Sequence, residues 1–289
     1  MKIAINNSLV LNENGPEEGL KRIKDAGFDG VELDVAKMMR EANDPDGRWS
    51  EERYLDEAKK LSAYAKELGL TIVQAQGVGN DHHFDFETVM LPKIIRSIKI
   101  AAAVGAPYVV IPALTRGVYR NNEEEFFTSN MEFYGRLAPV AKECGIKIAL
   151  ENQVAFDWAH FVLNRHVCSD AREFCQYIDT LNQTHGDLFV ACANLSRAPL
   201  TGKEALELTT TLGDRMKLIH VNDNDYRKDN RTAPGYGALD FNKFSEALKA
   251  VSYNGYYTLQ LSLKLPEELK DSALCHVAEI ARYWAGKAE

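Results

Sequence analysis

The amino-acid sequence predicts an α/β fold, one (β/α)8 barrel spanning residues 1–289 as a single domain. A diverged repeat carries this expectation: a helical pattern, a glycine and a short β-rich run return seven times along the chain. The copies lie mostly about 36 to 42 residues apart, the length of a strand-plus-helix unit and not of a helical solenoid. One further strand at residues 2–5 brings the count to eight, the number that closes a parallel barrel. A doubly wound sheet is the alternative, but it requires no such even distribution of units.

In chain order, the junctions are Gly27 before Val31-Glu32-Leu33, Gly69 before Thr71-Ile72-Val73, Gly105 before Tyr108-Val109-Val110-Ile111, and Gly145 before Ile146-Lys147-Ile148. Weaker copies follow at Gly186, Gly213 and Gly255. A glycine ends a helix in the left-handed conformation that other residues resist, so the next strand begins at once. The segments between carry helical periodicity. Tyr54, Leu55, Ala58, Leu61, Ala65 and Leu68 form a stripe at three- and four-residue steps, and Ser50-Glu51-Glu52 offers a capping hydroxyl followed by acids. Thr201-Gly202-Lys203-Glu204 has the spacing of a capping box.

Composition narrows the function classes. The chain is 45% hydrophobic and 26% charged, and no apolar run approaches the ~20 residues of a membrane span. A formal charge of −8 argues against a nucleic-acid partner, whose binding face is normally basic. The N-terminal residues enter a strand directly and leave no room for a signal peptide. Five cysteines, odd in number and without C-x-x-C spacing, read as reduced residues of a cytoplasmic protein.

In a parallel barrel the ligand site forms at the carboxyl ends of the strands, so the residues there are the candidates. The fifth strand, Ile146-Lys147-Ile148-Ala149-Leu150-Glu151-Asn152, is an apolar run that ends in a carboxylate as it leaves the barrel. Glu32 and Asp34 close the second strand, and the third runs into Asp81-His82-His83-Phe84-Asp85. Asn194 and Arg197 follow the sixth, His220 closes the seventh and Gln260 the eighth. Adjacent residues on an extended strand point to opposite sides, so His82 and His83 do not reach one ion; they form a polar loop, with His82 a candidate substrate contact. Loops longer than usual occupy residues 35–49, 153–168 and 222–237. The first carries Asp44-Pro45-Asp46-Gly47 and the second Phe156, Trp158 and Phe161. They serve either as lids over a site or as the contact of a homo-oligomer. Gly235-Tyr236-Gly237 in the third lacks G-x-G-x-x-G spacing, so no nucleotide cofactor is expected and at best a phosphate contact.

These strand ends, in this order, resemble the sugar phosphate isomerase/epimerase group of xylose-isomerase-like barrels along most of the chain. The resemblance implies one divalent cation, Mn²⁺ or Mg²⁺, held by the residues matching the family's ligand positions: Glu151, Asn194, His220 and Gln260. Glu32 in Gly30-Val31-Glu32-Leu33 matches as well, as does the stretch from His220 through Arg227 to Asp240. Two departures stand out. The sixth strand reads N-x-x-R from Asn194 to Arg197 where the family has D-x-x-H, and Gln260 replaces a Glu. Both amides still offer carbonyl oxygens, but three carboxylates have become one and Arg197 adds a positive charge, so attraction for a cation falls.

The resemblance further implies isomerisation or epimerisation of a sugar or sugar phosphate through an enediolate. Glu151 is the candidate base. Gln260 does not titrate, which disfavours a two-base inversion and leaves a one-base isomerisation open. Arg197 and Arg227 are candidates to hold an oxyanion, a carboxylate or a phosphate. The alternative is a non-catalytic barrel that binds a carbohydrate acid or sugar phosphate. A third class, abasic-site endonuclease, needs a His- and carboxylate-rich metal cluster and a basic face, which this sequence lacks.

Overall fold

Short apolar runs form the barrel strands where the repeat places them. The computed structural model describes residues 1–11, 15–39, 50–115, 117–157 and 162–289. The strands are β1 (Ile3–Asn6), β2 (Gly30–Asp34), β3 (Thr71–Gln76), β4 (Tyr108–Val110) and β5 (Lys147–Glu151). The antiparallel hairpin of β6 (Val154–Asp157) and β7 (Val162–Arg165) leaves the barrel directly after β5. The barrel resumes with β8 (Phe189–Asn194), β9 (Met216–His220) and β10 (Tyr257–Leu259). The eight pair in parallel in the order β10-β1-β2-β3-β4-β5-β8-β9, and a bridge from Val221 to Leu259 nearly closes the ring.

Helices cover the outside: α1 (Gly15–Asp25), the short α2 (Val35–Lys37), α3 (Glu51–Glu67), α4 (Leu91–Ala103) and α5 (Glu123–Cys144). α6 (Ala171–His185), α7 (Ala205–Leu212), α8 (Phe241–Ala250) and α9 (Lys270–Lys287) complete the layer. The stripe on α3 buries Tyr54, Ala58, Leu61 and Ala65, and Ser50 caps that helix by accepting from the Arg53 amide. The expected capping box at residues 201–204 does not form. Thr201 ends a separate 3-10 turn, its hydroxyl bonds the Ala198 carbonyl, and α7 starts after Glu204 without a side-chain cap. Gly255 also departs from its expected role: Ser252 takes the left-handed turn, and Gly255 makes room for the Tyr253 ring, whose hydroxyl would lie 2.3 Å from a Cβ.

Side-chain alternation sorts the strands into two cores. Outward residues such as Ile5, Leu33, Val109, Leu150 and Ile219 are fully buried under the helices, each contributing roughly 1.5–3 kcal/mol. Inward residues Val110, Ala149, Val190, Cys192 and Leu218 form a small apolar plug in the barrel. Polar residues occupy the inward positions nearer the carboxyl ends, so charge sits on a dry floor.

Of the three long loops, residues 40–49 of the first, with Asp44-Pro45-Asp46-Gly47, lie outside the described residues, as do Trp158 and Phe161 of the second. The third is tied by Asp223, fully buried, whose carboxylate accepts from the amides of Asn224, Gly235, Gly237 and Leu239 at 2.8–3.1 Å. Gly237 is required there, because a Cβ would lie 2.4 Å from Asp223 Oδ1. The Gly-Tyr-Gly segment therefore cradles the chain's own carboxylate. No helix among the described residues is long and apolar enough to cross a membrane.

Candidate functional site

β2, β5, β8 and β9 each deliver an inward polar residue to the same level of the barrel. The in-register pairs Asn6 with Glu32, Glu32 with Gln74, and Asn194 with His220 fix which side chains meet. His220, fully buried, stands between two carboxylates. Its Nδ1 lies 2.7 Å from Glu151 Oε1 and its Nε2 2.8 Å from Glu32 Oε1. Asn6 donates to Glu32 Oε2 at 2.7 Å, and Gln74 Nε2 lies 2.8 Å from Glu32 Oε1 and 2.9 Å from His220 Nε2.

Glu151, 4% exposed, is surrounded by donors. Asn194 Nδ2 reaches Oε1 at 3.0 Å, while Arg197 Nη1 at 2.7 Å and Gln153 Nε2 at 3.3 Å reach Oε2. Arg197 is 6% exposed and held on several sides. Its Nε donates to Asp229 Oδ2 at 3.1 Å, Nη1 also reaches the Asn152 carbonyl, and its backbone amide donates to Asn194 Oδ1. Arg231 stands 3.4 Å from the same Asp229 oxygen. Three acids (Glu32, Glu151 and Asp229) are thus interleaved with three cations (His220, Arg197 and Arg231).

The protonation states follow. Burial alone would raise the Glu151 carboxyl, but the Arg197 and His220 cations reverse this and hold it well below the usual carboxylate range. Burial likewise opposes ionisation of Glu32, and His220 again prevails. For His220, burial disfavours the cation, yet facing carboxylates raise its pKa well above the ordinary value. The neighbouring Cys192 thiol, 3.6 Å from Nδ1, is pushed up to about 11 by burial; it is neutral near pH 7 and the two carboxylates account for the charged imidazole.

The residues singled out in the sequence do not all arrive. Glu32, Glu151, Asn194, Arg197, His220 and Gln260 are buried at the barrel's carboxyl end. His82 is exposed, because the Asp81–Phe84 turn carries it outward, where its Nδ1 meets Asn80. Arg227 is exposed on the third long loop, and Asp229 and Arg231 from that loop reach the network instead. Gln74, Gln153 and Asn222 were not singled out. Gln74 was legible as a polar residue at an inward step of an apolar strand. Near the rim, both amide atoms of Asn222 and the Oε1 of Gln260 are buried with no partner among the described residues.

The profile of the xylose isomerase-like TIM barrels matches residues 20–275. The chain belongs to this family. One relative is 3-dehydro-D-guloside 4-epimerase from Escherichia coli (strain K12), 25% identical over 275 residues and covering 89% of this chain and 90% of that protein. Among solved structures, E. coli 3-keto-D-glucoside 4-epimerase aligns with a TM-score of 0.72 at 22% identity, over 98% of this chain and 99% of that one. D-psicose 3-epimerase in the presence of D-fructose aligns with a TM-score of 0.74 at 15% identity, over 99% and 100% of the two chains.

Does this xylose isomerase-like barrel keep a place for a divalent ion? Ligand atoms of Glu151, Cys192 and His220 do lie within 4.8 Å of one another. Their chemistry argues against use. Both Glu151 oxygens already accept hydrogen bonds, and both His220 nitrogens face carboxylates. Cys192 is a protonated thiol in an apolar plug, and Asn194 turns its NH₂ toward Glu151 while its oxygen accepts from Arg197. Only Gln260 Oε1 is an unengaged acceptor among the four positions the resemblance assigns. Metal ligation requires deprotonated, available donors, and this arrangement does not fit a divalent cation.

Proposed function

We propose that this chain is a sugar isomerase or epimerase whose first step removes a proton from a carbon beside a carbonyl. The buried constellation Glu32–His220–Glu151–Arg197, at the carboxyl end of a barrel of this family, carries the reading. The named relatives, epimerases of keto sugars, support that substrate class. Glu151 is the base. While Arg197 holds Oε2, Glu151 is a weak one; when a substrate oxygen draws the guanidinium toward itself, that hold loosens and its basicity rises. Asn222 and Gln260 supply the hydroxyl contacts. Between residues 117–123 and the β6–β7 hairpin lies a cavity of about 610 Å³ lined by Tyr119, Arg120, Phe156, Asn164 and Arg165 among others. Its walls leave the barrel from adjacent strands, β4 and β5, and give room for a glycosidic substituent.

The test is exchange of the α-proton of a 3-keto-glucoside with deuterium in D₂O, followed by NMR. Exchange catalysed by the parent and lost by at least ~100-fold in Glu151→Gln is expected. One observation favours a second reading, a carbohydrate-binding barrel without turnover: the donors around Glu151 lower its basicity. Binding of the keto sugar by calorimetry without any exchange would decide for it.

A further inference from the structure

Every member of a metal-dependent site needs a cation to balance its carboxylates, and here a side chain stands against the central one. We propose that this chain supplies that cation itself: the guanidinium of Arg197, held between Glu151 and Asp229, takes the electrostatic place of a divalent ion and keeps one out.

The geometry is that of a built site and not of an incidental ion pair. Arg197 Nη1 is 2.7 Å from Glu151 Oε2 and Nε is 3.1 Å from Asp229 Oδ2, with both carboxylates largely buried. A third contact to the Asn152 carbonyl at 3.1 Å fixes the plane of the group. A guanidinium is planar, permanently charged and weakly hydrated, which suits it to a dry site better than an ammonium. Asp229 is carried on the loop tied by the Asp223 cradle, so the brace is itself anchored. The surroundings match: the amide of Asn194 presents its NH₂ to Glu151, as a hydrogen-bond donor and not as a metal ligand. Nη2 has no partner among the described residues, which leaves one N–H edge of a buried cation free.

That edge defines its chemistry, and this half of the proposal rests on the isomerase or epimerase reading. The substrate C–H bond breaks, its proton passes to Glu151, and its electron pair forms the carbon–carbon double bond. The carbonyl electrons move onto oxygen, where the Nη2 edge donates to the enediolate. Glu151 then returns the proton, on the same face, to the neighbouring former carbonyl carbon, while the hydroxyl proton of the carbon that lost it passes to the former carbonyl oxygen. This completes an isomerisation with no oxidant or further reactant. The exclusion of metal does not depend on any of this, because a second full charge beside Arg197 is repelled whatever the substrate.

Titration of the full chain with Mn²⁺, by calorimetry and by electron paramagnetic resonance, tests the proposal. The parent and Arg197→Lys, which retains a cation, are expected to show no binding up to ~1 mM. Arg197→Ala should bind at least ~10-fold more tightly than the parent. Because that variant leaves Glu151 buried without its partner, the combination Asn194→Asp, Arg197→His and Gln260→Glu is measured alongside it. This redesign should gain at least ~100-fold, equivalent to about 2.7 kcal/mol. Stoichiometric Mn²⁺ on the parent, with an affinity unchanged in Arg197→Lys, would overturn the proposal. So would a folded redesign that binds no better than the parent. Loss of the proton-exchange reading leaves these metal titrations intact, so the two ideas fail separately.

Discussion

Arg197 and Glu151 form a pair whose members are expensive to separate and inexpensive to remove together. Taking away one partner leaves an uncompensated buried charge, typically a loss of 3–5 kcal/mol, whereas replacing both with apolar groups of similar size is often near neutral. Arg197→Met and Glu151→Leu are each expected to lower unfolding free energy by about 3 kcal/mol or more, and the double variant by clearly less than their sum. Urea denaturation of the four proteins gives the coupling directly; additive losses would place the two charges in water. A second residue, His166, sets a pH dependence away from the site. It is buried against the rings of Tyr119 and Phe126, and its Nδ1 accepts from the Val167 amide at 2.9 Å, so the proton is on the other nitrogen. Burial lowers its pKa to about 4, only partly offset by the Thr115 backbone, while Glu173 engages the neighbouring Tyr119 hydroxyl. The unfolded chain then binds more protons than the folded one between pH 4 and 6.5, so this contribution is complete above pH 6.5 and lost as pH falls toward 4. The loss amounts to at most about 3 kcal/mol, and His166→Phe should flatten that part of the stability profile. An unchanged slope would assign the acid sensitivity elsewhere.

The loop after β9 behaves as an element in its own right, although it contains neither helix nor sheet. Four amides converge on the Asp223 carboxylate, and two glycines permit the approach. Gly237→Ala places a methyl group 2.4 Å from Asp223 Oδ1, so the loop must shift and release Asp229 from Arg197. We expect a loss of about 2 kcal/mol or more from the strained and weakened hydrogen bonds, read by thermal unfolding, together with faster exchange of the Arg197 Nε–H in NMR. Wild-type exchange at that proton would show that the loop does not brace it. This device was hardly visible in the sequence. Pro234-Gly235-Tyr236-Gly237 reads as a flexible turn or phosphate contact, since nothing local reveals that a carboxylate twelve residues earlier folds back into it. Glu151 was legible, because an apolar strand that ends in an acid exposes its own anomaly. Asp229 and Arg231 were not, because the sequence shows a charged loop without showing which charges turn inward; Arg227, two residues before Asp229, was the natural and different choice.

At the scale of the whole molecule, the seven junctions of glycine and strand, with the N-terminal strand, were enough to specify the barrel, since parallel strands buried on both faces leave short apolar runs at a regular spacing. The interior was less legible: which inward residues meet is decided by pairings between distant segments, such as Glu32 with Gln74 and Asn194 with His220, which no single stretch encodes. What those pairings assemble is a mouth with balanced charge inside a chain of net charge −8. The Asp223 cradle has a final consequence here. Backbone amides after the seventh strand of such barrels are where a phosphate commonly docks. In this chain a built-in carboxylate already occupies them, so a phosphorylated metabolite meets a taken seat and an opposing field. We therefore expect a sugar phosphate to bind no more tightly than its parent sugar in a competition assay, and a tenfold preference for the phosphate, about 1.4 kcal/mol, would refute this. Phosphorylation, which marks many sugars for retention and use, would here act as a label for rejection.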